Sequence, residues 1–341
     1  MQASNNENSS MRYNRLGNTS MRVSHISLGG AAFSNLYGGC EEDHGLRLIR
    51  QSLRYGINYV ETGPWYGQGT SERLFGIALK DVPRSSFYIG SKVGRYEVNR
   101  AKMFDFSAEK TELAVDNTLR LLGLDYVDVI QVHDLSFGDK SVVLNETLPT
   151  LQKAVHDGKA RFIGLADYDL ELMKEVIEES KVPIDVVLSY AKSTLLDNRL
   201  QKYVKFFRRN GVGVINASAT GMGLLTNNGP PEWHPATEDI KSICRDAGIH
   251  CAKRYVELAR LATWFTINQP NIDTNICGFS NEFQLMDSIN LLRKGLTPIE
   301  EQVYQQIKEK YFDGKVMHWD SLELRTHKDK LRAENSSPNQ E

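Results

Sequence analysis

One regularity constrains this chain more than any other. Short apolar runs rich in Val, Ile, Tyr and Phe alternate, eight times over, with segments of helical apolar spacing. The runs are "VSHISLGG", "INYVET", "FYIGSK", "YVDVIQVH", "RFIGLAD", "IDVVLSY", "VGVINAS" and "TNICGF". Their near-continuous apolar character reads as strands buried on both faces, the habit of parallel sheets. In the segments between and after them, apolar residues recur at three or four positions: Leu46, Ile49 and Leu53; Val115, Leu119 and Leu122; Leu148, Leu151 and Val155; Leu200, Val204 and Phe207; Leu285, Ile289 and Leu292. That spacing puts one apolar stripe on each helix. Gly56, Gly123, Gly158, Gly211 and Gly295 fall where the helices should stop, as a left-handed C-terminal cap requires.

Eight strand–helix units in 341 residues, with no domain-sized linker, predict one closed (β/α)8 barrel rather than two doubly wound domains. It should occupy residues 11–324, with a short hairpin extension before the first barrel strand. Residues 1–10 and 325–341 are polar and are expected to lack fixed structure. The long stretch "ATGMGLLTNNGPPEWHPATED" after the seventh strand is expected to be an ordered flap, because Trp233, Pro230, Pro231 and Pro235 restrain it,.

Composition excludes several classes. A net charge of −2 gives no electrostatic reason to bind nucleic acid or an anionic membrane. No apolar run reaches the ~20 residues of a membrane helix. Cys40, Cys244, Cys251 and Cys277 are scattered, so neither a metal site nor a disulfide framework is expected, and a cytoplasmic setting is. A monomer or weak oligomer is the expectation.

In a (β/α)8 barrel the chemistry sits at the C-terminal ends of the strands. Glu61 ends the second run and Tyr66 follows it; Lys92 ends the third and His133 the fourth. Each alone is ordinary, but three adjacent strands here deliver a carboxylate, a phenol, an ammonium and an imidazole to one rim. An ammonium beside a phenol favours the phenolate, a carboxylate orients the ammonium, and an imidazole can donate to a substrate oxygen. Together they make an acid/base suited to alcohol–carbonyl interconversion, with the hydride left to a nicotinamide cofactor.

The stretches "LGNTSMRVSHISLGG", "GINYVETGPWYGQGTSERLFGIAL", "LGLDYVDVIQVHD", "NETLPTLQKAVHDGKARFIG" and "GLLTNNGPPEWHPA" resemble the aldo-keto reductase family, and within it the L-galactose dehydrogenase-like branch. The resemblance spans roughly residues 13 to 295. It implies an NAD(P)-dependent enzyme acting on a small sugar or carbonyl compound, with Tyr66 as proton carrier, Lys92 tuning it, His133 orienting the reacting oxygen and Glu61 pairing with Lys92. Glu61 departs from the family's aspartate by one methylene, so its carboxylate must fold back. Aspartate there is expected to serve at least as well. For the cofactor the resemblance points to Gly29, Gly30, Ser189 (preferred to Tyr190), Ser218, Gly221, Leu224, Gly278, Ser280 and Gln284. Trp65, Phe137 and Trp233 are candidates for the substrate pocket, since aromatic faces stack on sugars. Ala166, Asp167, Ala217 and Ser288 stand where the family has other residues.

Family members that prefer NADP carry a basic residue in the segment after the eighth strand. None lies between Gly278 and Leu292, whereas Glu282 and Asp287 add negative charge, so NAD is expected, with NADP possible. The alternatives are an NADPH-dependent carbonyl reductase and a catalytically weak, cofactor-binding regulatory barrel.

Overall fold

The computed structural model describes residues 11–34 and 40–336; the expectation for residues 1–10 lies outside them. Eight strands close a barrel: β3 (Ile26–Gly29), β4 (Tyr59–Glu61), β5 (Tyr88–Val93), β6 (Val127–His133), β7 (Ala160–Asp167), β8 (Val186–Tyr190), β9 (Gly213–Ala217) and β10 (Thr274–Cys277). Six fall inside one of the eight apolar runs, and β5 and β7 overstep theirs by one residue, Val93 and Ala160. Neighbours are parallel throughout, and β10 pairs with β3 through Asn275 opposite Ile26.

The hairpin of β1 (Tyr13–Arg15) and β2 (Arg22–Ser24) is antiparallel and stoppers the end where the strands begin. Its Leu16, Met21 and Val23 pack with Tyr59, Val129 and Ile215 of the barrel interior. The turn needs a glycine: Gly17 has φ +51, and a Cβ there would stand 2.2 Å from the Gly213 nitrogen. With that end sealed, a ligand can enter only at the rim where the strands finish.

The helices Glu42–Arg54, Ala108–Leu122, Leu148–His156, Leu200–Arg209 and Glu282–Lys294 carry the five predicted stripes, with Ile49, Val115, Leu151, Phe207 and Ile289 buried against the sheet. Gly56, Gly123, Gly158, Gly211 and Gly295 all have positive φ. The flap after β9 is held from inside. Leu224 and Leu225 are fully buried, and the His234 ring lies edge-on to Trp319 with centroids 4.8 Å apart.

The tail differs from expectation. A helix runs Asp320–Ser336, well into the segment read as unstructured. Asp320 accepts from the buried Lys192 ammonium at 2.9 Å, and Glu323 accepts from the Tyr168 hydroxyl at 3.1 Å. His327 lies edge-on to Phe104 and Phe137, at 5.2 and 5.4 Å. Residues 320, 323 and 327 share one helix face. They dock through polar and aromatic groups, so the helix carries no apolar stripe for a sequence pattern to show.

Candidate active site

The four strand-end groups converge. Lys92 Nζ donates to Glu61 Oε1 at 2.5 Å and to the Thr62 carbonyl at 2.9 Å. It also stands 4.7 Å from the centre of the Tyr66 ring. The His133 ring meets that tyrosine edge-on at 5.8 Å. A residue that pattern reading missed completes the set: Gln131 Nε2 donates to Glu61 Oε2 at 2.7 Å. Both oxygens of Glu61 are therefore engaged. Gln131 stands two residues before His133 on β6, so strand alternation sends both side chains into the barrel. That period was the available signal.

Burial opposes the charge on Lys92, but Glu61 and then Tyr66 outweigh it, and its pKa is raised. Tyr66 behaves otherwise than expected. Burial pushes its pKa above the ordinary phenol value, and the neighbouring Lys92 only partly offsets that, so the uncharged phenol is favoured. His133 is driven down to about 3, first by burial and also by Lys92 and Arg95 against the opposing pull of Asp134. A neutral imidazole can donate one N–H, and His133 Nδ1 is buried without a partner.

Next to His133, Asp134 adopts φ +54, a left-handed backbone that a non-glycine residue rarely takes. Arg95 holds it in place, donating from Nη1 to Asp134 Oδ2 at 2.6 Å. Ser218 and Met222 have φ +67 and +54, and all three line one cavity. Such outliers tend to gather at functional sites.

That cavity has a volume of about 610 Å³, within the range of small-molecule and cofactor sites. It starts at Glu61, Tyr66, Lys92 and His133 and reaches Ser280, Gln284 and Asp287 at the head of the helix Glu282–Lys294. Gly29, Gly30, Ser218 and Gly278 also line it. The residues present suit a dinucleotide. The acid/base groups occupy one end, and helix-terminal N–H groups that favour an anion lie near the other. Gln284 itself is partly committed, its Oε1 accepting from the Ser280 nitrogen at 2.8 Å.

Other expected residues stand elsewhere. Leu224 is fully buried. A side chain at Gly221 would face Leu196 and Trp319, and its carbonyl hydrogen-bonds to His234. On β8, Leu188 and Tyr190 line the cavity and Ser189 does not; the two-residue period that turns Leu188 inward turns Ser189 out. Trp65 and Phe137 do not line the cavity; they pack around Arg95, whose partner Asp134 does. The Arg95 guanidinium stands 4.2 Å from the Trp65 ring centre, and Phe137 stacks at 4.6 Å on Phe104, another neighbour of Arg95. Trp233 is about half exposed on the flap. Ala166, Asp167, Ala217 and Ser288 do line the cavity. Asp167 accepts from the nitrogens of Ser136 and Asp169, both at 2.8 Å. Burial, reinforced by the Asp134 charge, lifts its pKa to about 7.

A parallel eight-stranded barrel with an acid/base cluster at the mouth of a cofactor-sized cavity is an oxidoreductase architecture for exchanging alcohol and carbonyl. The chain matches the Aldo/keto reductase family over residues 25–311, and it belongs to that family, whose enzymes use NAD(P)H. It is 37% identical to L-galactose dehydrogenase of Arabidopsis thaliana over 279 residues, covering 80% of this chain and 86% of that one. It is 30% identical to D-arabinose 1-dehydrogenase of Saccharomyces cerevisiae over 260 residues, 72% and 76% of the two chains. In fold it is similar to an aldo-keto reductase from Bacillus halodurans in its holo form, with a TM-score of 0.71 at 24% identity, covering 87% of this chain and 96% of that one. No helix among the described residues is long and apolar enough to cross a membrane.

Proposed function

We propose that this protein is an NAD-dependent dehydrogenase oxidising a hydroxyl group of a small neutral sugar. The observation that carries the reading is the continuity of one cavity from the Glu61–Tyr66–Lys92–His133 cluster to the head of the helix Glu282–Lys294. The names of the relatives support the substrate class, since both are sugar dehydrogenases.

A bound nicotinamide nucleotide supplies the hydride acceptor. The protein's own groups manage the proton. Tyr66 receives it from the substrate hydroxyl, and Lys92 holds a positive charge against the phenol ring that favours the receiving phenolate,. A second positive charge arriving beside the ring acts in the same sense. Glu61 and Gln131 keep Lys92 charged and aimed. Neutral His133 steers the substrate oxygen with its N–H. Asp134 and Asp167 on the cavity wall offer acceptors to sugar hydroxyls and repel acidic sugars.

Support for NAD comes from the far end of the cavity, where Glu257 and Asp287 line the wall and disfavour an added phosphate. The four unpaired cysteines, three of them buried, fit a reducing, cytoplasmic setting.

The test is reduction of NAD and NADP followed at the reduced-nicotinamide absorbance with a panel of neutral aldoses and uronic acids. Turnover with neutral aldoses and NAD is expected. Turnover confined to NADP, or confined to the uronic acids, refutes the reading.

A further inference from the structure

The sequence segment expected to read the coenzyme's phosphate contains no base, yet a guanidinium does reach that end of the cavity. It comes from the helix Leu258–Ile267, which faces the cavity through Ala259, Arg260 and Thr263. Among the described residues lining the cavity, only Lys92 and Arg260 carry a permanent positive charge. Lys92 is bound to Glu61. Arg260 is bound twice: Nη1 to Asp287 of the helix Glu282–Lys294, and Nε to Glu300 of the helix Pro298–Ile307 at 2.6 Å.

The clamp is rigid by construction. Glu300 uses its other oxygen to cap its own helix, accepting from the Thr297 nitrogen at 2.7 Å, within a complete capping box. It cannot follow a moving guanidinium without opening that helix end. The side chains of Arg260 and Glu300 are 17% and 15% exposed, so their attraction is screened less than that of a surface pair. Two carboxylates around one guanidinium leave a net negative charge, and Glu257 on the same wall adds another. An arginine that meets a phosphate well presents a planar fork with two N–H groups free. Here both Nε and Nη1 are already committed to carboxylates.

We infer that Arg260 is a coenzyme-discriminating residue: clamped by Asp287 and Glu300 it excludes a 2′-phosphate, and opening the clamp at Asp287 turns it into a 2′-phosphate receptor. The inference rests on the proposed reading of the cavity as a nicotinamide-nucleotide site. It goes beyond the NAD preference by naming the residues that impose it. It also accounts for discrimination in a chain that does have an arginine within reach.

The test is binding to the full-length protein, measured by quenching of intrinsic fluorescence with NADH and with NADPH, and by displacement of each with 2′,5′-ADP. For Asp287→Asn, NADPH is expected to bind at least 10-fold tighter than to wild type, with NADH changed by less than 3-fold, on the order of what one charge-assisted phosphate contact contributes. In Asp287→Asn/Arg260→Gln the gain should vanish. An equal change for both coenzymes, or a gain that survives loss of Arg260, overturns the inference. Arg260→Gln alone, which leaves Glu300 its capping role, provides a second route should the Asp287 variants fold poorly. It should weaken NADPH several-fold more than NADH, because two carboxylates then stand unopposed, and equal weakening again overturns the assignment. The two claims fail separately. Wild type preferring NADPH defeats the NAD reading and the exclusion with it, whereas a wild type that prefers NADH, with variants that show no selective change for NADPH, overturns the assignment of Arg260 alone.

Discussion

Replacing Glu61 by aspartate is the most exposing perturbation of this site. Read from sequence, the longer side chain is an awkward fit and aspartate should do as well or better. The geometry reverses that expectation. Glu61 Oε1 meets Lys92 at 2.5 Å and Oε2 meets Gln131 at 2.7 Å, so the pocket is fitted around glutamate. Gly90 pairs with Glu61 across the β4–β5 ladder, and a Cβ there would lie 2.5 Å from the Tyr59 hydroxyl and 3.6 Å from Glu61 Cγ, so the bare backbone makes room for Tyr59 while the Glu61 side chain packs in ordinary contact beside it. Removing one methylene withdraws the carboxylate by about 1.5 Å, enough to break at least one of the two contacts. A hydrogen bond to a charged group contributes about 1.5–3 kcal/mol, and stranding the buried Gln131 amide costs about 1–3 kcal/mol. With Lys92 misplaced by about 1 Å beneath Tyr66, Glu61→Asp should lower kcat by about 10- to 100-fold and depress Tm, while coenzyme affinity stays the same. Single-turnover absorbance kinetics beside a fluorescence titration separate these effects. Glu61→Gln, which keeps length and loses charge, tells reach from electrostatics. Wild-type or higher kcat in Glu61→Asp refutes the reasoning.

Three further outcomes are expected. Tyr66→Phe should abolish turnover while leaving coenzyme quenching intact, and the wild-type oxidation rate should climb as pH rises through the elevated tyrosine pKa; a flat profile contradicts the proton role. Asp167, lifted to about 7 in the folded chain, contributes stability that is present below the ordinary carboxylate range and lost as pH rises through about 7. Wild-type Tm should therefore fall between about pH 5 and pH 8 by more than that of Asp167→Asn, and parallel Tm curves would contradict this. Ending the chain after Trp319 removes Asp320 and Glu323, which accept from Lys192 and Tyr168, and leaves Lys192 with Asp197; it should raise KM for the sugar about 10-fold or more and move coenzyme affinity by less than 3-fold, as kinetics and titration can show.

The barrel was legible because its signals are local. Each strand run and each helical stripe lies within a window of about ten residues, and glycines such as Gly123 and Gly211 mark the ends with a backbone few other residues adopt. The convergence of Glu61, Tyr66, Lys92 and His133 was legible because one rule about strand ends turns positions in sequence into positions in space. What escaped lies in contacts that no local window contains. Arg260 reaches the far end of the cavity from a helix outside the segment read for phosphate recognition. Gln131 is one more inward residue until Glu61 is seen against it. Tyr190 and Ser189 are told apart only by which phase of β8 faces inward. The final helix, docked through Asp320, Glu323 and His327, looks in sequence like a solvated tail.

The closing seam of the barrel sets a schedule for its making. β3 is translated long before β10, and hydrogen bonds such as Thr274 Oγ1 to the Ser24 carbonyl span 250 residues. During synthesis β3 must wait with one edge unpaired, an exposure that invites association with other chains. The helix Asp320–Ser336 emerges later still. Every described residue that lines the cavity is therefore translated before this helix, so a chain terminated after Trp319 would keep the whole lining and lose the contacts of Asp320, Glu323 and His327.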